Sequence, residues 1–297
     1  MKYFMQLLLL LVILNSCKEK NSEEKIELPK IQKEQIALKS ALTLYASFDN
    51  GIDADVANGD SKLYSVMNRK ELDSALIGLH KDSVNISKNQ GKYGDALQFK
   101  DKSKGYIYYR SLNNIAYSKT DWSSSISFWL SLDPNKDLKP GYCDPIQITD
   151  SGYNDAGIWV DFTKENPRDF RLGVIGDRDS WNPNPEGPDN ENPNFISQLI
   201  PVENPPFASG IWTHIVINFS NLNTEKGKTE LFINGKNMGS RASMTDPFTW
   251  EIEKSNILLG LSYIGLMDEL SIFNRALSND EIETLYNSKE PISNFIN

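Results

Sequence analysis

The chain has 297 residues, with 31 Lys and Arg against 40 Asp and Glu, a formal net charge of −9, and two cysteines. An acidic balance without basic clusters excludes nucleic acid as a partner. So few cysteines exclude a disulfide-stapled scaffold, and the length suits one large domain with a substantial core and no second domain.

The N-terminus reads as an export leader: Lys2 supplies the positive end and Phe4 to Leu14 an apolar run too short for a comfortable membrane span. Leu14-Asn15-Ser16-Cys17 resembles the lipobox of bacterial lipoproteins. The expectation is that residues 1–16 are removed, that Cys17 carries lipid, and that 17–40 are a Lys/Glu-rich solvated tether with room for a short helix. This places the protein in the bacterial cell envelope as an outer-membrane lipoprotein, periplasmic or surface-exposed, touching the membrane through its lipid alone. The segment from Lys18 to Glu24 is similar to charged segments that route some Bacteroidetes-type lipoproteins to the cell exterior. With Cys17 lipidated, Cys143 is left without an intrachain disulfide partner.

Beyond the tether, alternating apolar runs between turn signals predict strands at 42–48, 96–99, 106–109, 125–131, 146–149, 158–162, 170–175, 212–219, 229–233, 257–259 and 264–273. That rhythm belongs to a two-sheet sandwich. Asn234-Gly235 predicts a tight hairpin whose central residues both take positive φ, with the next strand starting near Lys236. Two segments break the rhythm: a polar excursion over 52–90, and a loop over 176–206 containing seven prolines. Loops of that length are commonly functional or disordered.

The last strand carries the strongest single signal. If sides alternate regularly, Ile264, Leu266, Leu270 and Ile272 share an apolar face with Asp268 among them. A carboxylate there needs a cation such as Arg275, backbone donors or a metal. Beyond it, Ser278 and Glu281 predict a capping box opening one short helix with Ile282, Leu285 and Tyr286.

Four stretches together resemble the laminin-G-like jelly roll of the concanavalin A-like lectin and glucanase superfamily. They are Leu44-Tyr45-Ala46-Ser47-Phe48-Asp49; Gly91 through Phe99; Ile211-Trp212-Thr213-His214 leading to Asn234-Gly235; and the closing stretch from Ile264 to Leu285. The resemblance implies an all-β, two-sheet antiparallel jelly-roll sandwich over 41–289, one short C-terminal helix, and a tail over 290–297. It also implies a structural calcium with Asp49 and Asp268 as ligands and Asp95, or carbonyls near Gly94, as a third. Calcium takes six to eight oxygens, which loop ends at a sandwich edge supply. Function stays open on this ground, because the fold hosts lectins, adhesion domains, hydrolases and lyases alike.

Taking the parity opposite to the aliphatic rows, successive strands collect Trp129, Gln147, Trp159, Asp161 and Arg171 on a concave face. Flat aromatic surfaces with amides and charges suit a sugar ring. Trp181, in Asp177-Arg178-Asp179-Ser180-Trp181-Asn182, and Tyr153-Asn154-Asp155 are rim candidates. Alternatively, the 176–206 loop lies over this face, the tryptophans form a small second core, and Asp161 and Arg171 are a structural ion pair. The Glu-x-Asp-x-x-Glu pattern of β-glucan hydrolases on this fold is absent, and Asp161 is the one acid placed inside the face. His214 sits in an ordinary strand motif and is read as structural. These features favour a carbohydrate-binding module without catalysis, with a polysaccharide or glycan as ligand. The alternatives are a polysaccharide hydrolase or lyase, a module that binds a protein partner through its loops, or a ligand-free spacer.

Overall fold

The computed structural model describes residues 29–67, 74–80, 82–102 and 105–296. The leader, Cys17 and the tether up to residue 28 lie outside them.

One sheet runs in the order β15 (Lys236–Ala242), β14 (Lys228–Ile233), β13 (Thr213–Leu222), β8 (Trp122–Ser131), β17 (Gly265–Phe273), β1 (Leu42–Ala46) and β2 (Val56–Ala57). On the same edge β6 (Ala96–Phe99) pairs with the start of β17, and β5 (Val84–Ser87) pairs with β6. The second sheet runs β12 (Leu199–Val202), β11 (Phe170–Ile175), β10 (Gly157–Phe162), β9 (Cys143–Thr149), β16 (Asn256–Leu261), β7 (Tyr106–Arg110), β3 (Tyr64–Val66) and β4 (Leu76–Ile77). Neighbouring strands are antiparallel. This is the expected all-β sandwich. The core lies between the sheets, where Ile146, Ile148, Ile158, Val160, Leu172 and Val174 of one meet Phe128, Leu130, Ile215, Ile217, Leu270 and Ile272 of the other. Each such side chain contributes about 1.5–3 kcal/mol by leaving water. The hairpin at Asn234 and Gly235 has φ of 51° and 75°, as its sequence requires.

The outer face of the first sheet is covered by helices. Tyr45, Val216, Phe232 and Phe273 pack against Leu277, Ile282 and Leu285 of α5 (Asn279–Asn287) and its approach, and against Leu38 and Ala41 of α1 (Lys30–Ala41). Ser278 and Glu281 close the predicted capping box. The expectation of a solvated tether running to residue 40 is therefore corrected from Lys30 onward: Leu38 is 1% exposed, and this docking carries the folded unit back to α1. Arg275 does not serve Asp268. It donates to both oxygens of Glu281, at 2.8 and 2.6 Å, and to the Ala37 carbonyl of α1.

The regular alternation expected along β17 is also overturned. A β-bulge interrupts its pairing with β8 between Asp268 and Ser271, with Glu269 at φ 54°. The extra residue shifts the side-chain phase, so Met267, Leu270 and Ile272 line the core while Asp268, opposite Trp129, faces the outer side. Asp268 is still fully buried, beneath the turn that donates the Tyr93 N–H to it at 3.1 Å.

Candidate functional site

The outer face of the second sheet carries the candidate site. Directly paired residues of neighbouring strands point to the same side. Gly173, Trp159, Gln147 and Leu258 are cross-strand partners in one row, and Asp161 faces Arg171 in the next. Gln147, Trp159, Asp161 and Arg171 thus come together, outside the core. They line a cleft of about 360 Å³ with Tyr142, Asp144, Tyr153, Asn190, Phe195 and Ser262.

At its centre Arg171 donates from Nε and Nη2 to the two oxygens of Asp161, at 2.9 and 2.5 Å. Burial pushes the Asp161 carboxyl up, against the opposing pull of Arg171. Burial likewise works against the guanidinium charge, but Asp161 outweighs it and holds Arg171 above its ordinary value. The guanidinium lies 4.9 Å from the centre of the Tyr142 ring. Its planar fork has five N–H donors, so Asp161 leaves several unspent. Beside it, Gln147 is 6% exposed and makes no side-chain hydrogen bond among the described residues.

Trp159 is not an open platform. Its ring lies over Gly173, its Nε1 donates to the Tyr153 carbonyl at 2.7 Å, and Phe195 stacks on it with centroids 6.1 Å apart and planes 19° apart. Phe195 belongs to α4 (Pro193–Ile196) in the proline-rich loop, which also holds α3 (Arg178–Trp181); α2 (Pro134–Asp137) precedes β9 and α6 (Ser293–Ile296) ends the described chain. Trp181 packs under Phe195 and donates to the Asn154 carbonyl, so it is a buried support and not a lid over the cleft. Asp189 locks the loop in place by accepting from Arg178, Asn182 and Asn154. The loop therefore covers Trp159, as one of the two readings of the sequence had it for both tryptophans, and leaves a cleft beside it. The exposed aromatic at its wall is Tyr153, from the weaker rim candidate, 39% exposed.

Trp129 does not join this site. It lies on the other sheet, opposite His214 and Asp268, with Lys92 Nζ 4.3 Å from its ring centre and His214 stacked on it at 4.7 Å. The chain crosses between sheets after β8, so parity carried from β8 to β9 compares opposite sides of the sandwich. His214 is buried, bonded through Nε2 to Ser127, and lowered to about 3 by burial and then Lys92, which suits a packed structural residue. Sequence reasoning missed Tyr142, Asp144, Asn190 and Ser262. Asp144 precedes Pro145 two residues before the first predicted strand residue of β9, and only the longer observed strand brings it to the cleft.

The residues expected to hold calcium surround the Gly91–Gly94 turn. Asp49 accepts from the Asp95 N–H at 2.7 Å, and Asp268 accepts from the N–H groups of Tyr93 and Glu269. A Cβ on Gly94, at φ 58°, would fall 2.1 Å from Asp49 Oδ1, and one on Gly91 would fall 2.8 Å from Asp268 Oδ2. Both carboxylates thus press on one turn. The Asp95 carboxylate is instead held by Lys88 and the Asn89 N–H, and among the described residues no three acidic, His or Cys side chains converge as a metal site. Of the three expected ligands, Asp49 and Asp268 thus lie against one turn and Asp95 is engaged elsewhere. Burial, then the neighbouring Glu269, pushes Asp268 up to about 9, and burial pushes Glu269 up to about 7.

A laminin-G family model described as the concanavalin A-like lectin/glucanases superfamily matches residues 101–283. Among solved structures, domain 4 of an extracellular arabinanase from Geobacillus stearothermophilus, in complex with arabinotriose, is similar at 18% identity and a TM-score of 0.51, over 83% of this chain and 98% of that one. The ligand binding domain of botulinum neurotoxin serotype D, in complex with N-acetylneuraminic acid, is similar at 12% identity and a TM-score of 0.54, over 86% of this chain and 53% of that one. At these identities the likeness is one of fold. No curated protein matches the chain.

Proposed function

The chain belongs to the concanavalin A-like lectin/glucanases superfamily, and from that footing we propose that it is a glycan-binding module that holds its ligand without transforming it. The observation that carries this reading is Gln147: an amide on the cleft floor that makes no side-chain hydrogen bond among the described residues, beside the unspent donors of Arg171. Sugar hydroxyls donate and accept, so they relieve both at once, while Tyr153 and Tyr142 offer ring faces at the wall. The arabinotriose and N-acetylneuraminic acid complexes of the similar domains support a glycan as the class of ligand. Asp161 is poorly placed for catalysis because Arg171 occupies both its oxygens, and glycoside hydrolysis needs two carboxyl groups free to act as acid and as base or nucleophile.

A glycan array or affinity gel tests the reading. Binding by the wild type, weakened by Gln147→Ala, is expected; no binding by any glycan refutes it. Release of reducing ends or unsaturated products, abolished by Asp161→Asn, would replace it with an enzyme. Pull-down of an envelope protein insensitive to Gln147→Ala, without glycan binding, would replace it with a protein-binding module.

The same proposal places the module in the bacterial envelope through lipid on Cys17. Partition of the expressed protein into detergent, lost in Cys17→Ser, is the check. It also assigns calcium to the edge formed by Asp49, Asp268 and the turn carbonyls. There the ion would neutralise the buried Asp268 and the half-buried Asp49, neither of which has a salt-bridge partner among the described residues.

A further inference from the structure

We infer that Arg171 sets the specificity of the cleft: the second edge of its guanidinium reads two acceptor oxygens held side by side on a sugar, those of a vicinal diol or of an acidic sugar's carboxylate. The inference rests on the glycan-binding reading and names the contact within it. Arg171 lines the cleft. One edge of its guanidinium, Nε with Nη2, is spent on the two oxygens of Asp161. Nη1 makes no hydrogen bond among the described residues, and Nη2 keeps a second N–H. Those two nitrogens form the other edge of the fork, with parallel donors at a fixed spacing. The two-point contact with Asp161 sets the plane of the group, and its central carbon lies 4.9 Å from the Tyr142 ring centre and 5.9 Å from that of Trp159. The fork is therefore held in place before any ligand arrives.

A rigid pair of parallel donors fits a pair of acceptors of matching spacing. On a sugar two arrangements supply one: hydroxyls in gauche relation on neighbouring ring carbons, and the two oxygens of a carboxylate. Hydroxyls that are both axial on neighbouring carbons stand too far apart, and an isolated hydroxyl meets only one donor. Because the plane of the guanidinium is fixed beforehand, little side-chain freedom is lost on binding. The pairing with Asp161 also offsets the charge of Arg171, which lets a neutral diol compete where a bare guanidinium would favour an anion. A hydroxyl that accepts from the fork still has a proton to give, and the Gln147 amide oxygen on the same cleft wall can take it. Lysine cannot substitute, because its ammonium is a point charge with rotatable donors and has no second edge.

The test is titration calorimetry with the full folded chain and two sets of probes: neutral arabinotriose, cellotriose and lactose, and acidic trigalacturonate and 3′-sialyllactose. Arg171→Lys keeps a positive charge beside Asp161 and removes the fork, so it should weaken every probe that binds by about tenfold or more. For a neutral probe, mono-deoxy analogues should lose about tenfold in the wild type at two positions on adjacent carbons. The same analogues should lose at most about twofold in Arg171→Lys, whose fork is already gone. For an acidic probe, methyl esterification of the carboxylate takes the place of deoxygenation, and added salt weakens binding where it leaves a neutral diol unaffected. Either pattern supports the inference and tells the two oxygen sources apart. If Arg171→Lys fails to fold, the wild-type series decides alone, since its losses must fall on adjacent carbons or on the carboxylate. Binding untouched by a folded Arg171→Lys, losses on non-adjacent carbons, or equal losses in wild type and variant overturn the inference and leave the glycan-binding reading standing. Failure of every probe in both sets overturns the inference and the reading together.

Discussion

Gly173→Ala tests how the cleft is built. Gly173 lies between Trp159 and Leu199 in the cross-strand row, and its backbone is not in the left-handed region, so the missing side chain serves the tryptophan ring. An added Cβ would sit 2.3 Å from Trp159 Cζ2 and 2.4 Å from Cε2. Carbon atoms in contact need about 3.5–4.0 Å, so the ring must move by about 1 Å or more. It is not free to do so. Its Nε1 is tied to Tyr153 at 2.7 Å and its far face is packed by Phe195. Overpacking of this kind costs about 1–3 kcal/mol. For a domain this large that is a fall in Tm of roughly 2–12 °C, at about 2–4 °C per kcal/mol. A double-mutant cycle with Trp159→Leu, read by urea unfolding, isolates the clash, because in that background the Cβ has room and the cost of Gly173→Ala should fall by about 1 kcal/mol or more. Fluorotryptophan NMR, with Trp159 assigned from a Trp159→Phe spectrum, should show that resonance displaced and glycan binding reduced. An equal cost of Gly173→Ala in both backgrounds, or an unmoved Trp159 resonance, would refute the reasoning.

Asp161→Ala, which strands the mostly buried Arg171, should cost about 3–5 kcal/mol in chemical denaturation, whereas the double replacement Asp161→Leu with Arg171→Met should cost clearly less; equal losses would mean the pair is not coupled. In chelator, the carboxyls of Asp268 and Glu269 titrate near 9 and 7 in the folded chain against ordinary values of 3.8 and 4.5. Their folded values are raised, so the stability they contribute is complete below about pH 4 and drains as pH rises through about 7 and 9, and Asp268→Asn should flatten that fall in a pH series of unfolding midpoints. Calcium added to chelated protein at neutral pH should raise Tm, because it binds the folded state alone, and Asp49→Asn or Asp268→Asn should abolish the rise. Removing α1 should lower stability by about 2–3 kcal/mol, since Leu38 is buried against α5 and leaves apolar surface behind; unchanged unfolding would show that α1 is dispensable.

Much of the sandwich was legible in the sequence because its signals are local. β6 and β11 have the bounds that alternation predicts, Asn234 and Gly235 take the positive φ that their turn demands, and Ser278 and Glu281 cap their helix. Parity also placed Gln147, Trp159, Asp161 and Arg171 on one face, because β9, β10 and β11 are neighbours in both chain and sheet. Tertiary structure decided the rest. Trp129 fell away from that group since β8 and β9 are consecutive in the chain but lie in different sheets. Asp268 left the aliphatic row because a bulge adds one residue on one strand only, a defect that exists through pairing and has no local signature. Strands β2 to β5 and β12 are too short to show a period in sequence, and they exist because a neighbour satisfies their backbone groups. The cleft itself depends on Phe195, in a loop that Asp189 ties to Asn154 and Arg178, settling over Trp159 and leaving Gln147 open beside it. Local periodicity fixes which way a side chain points along its own strand, and only the packing of distant segments fixes what it points at.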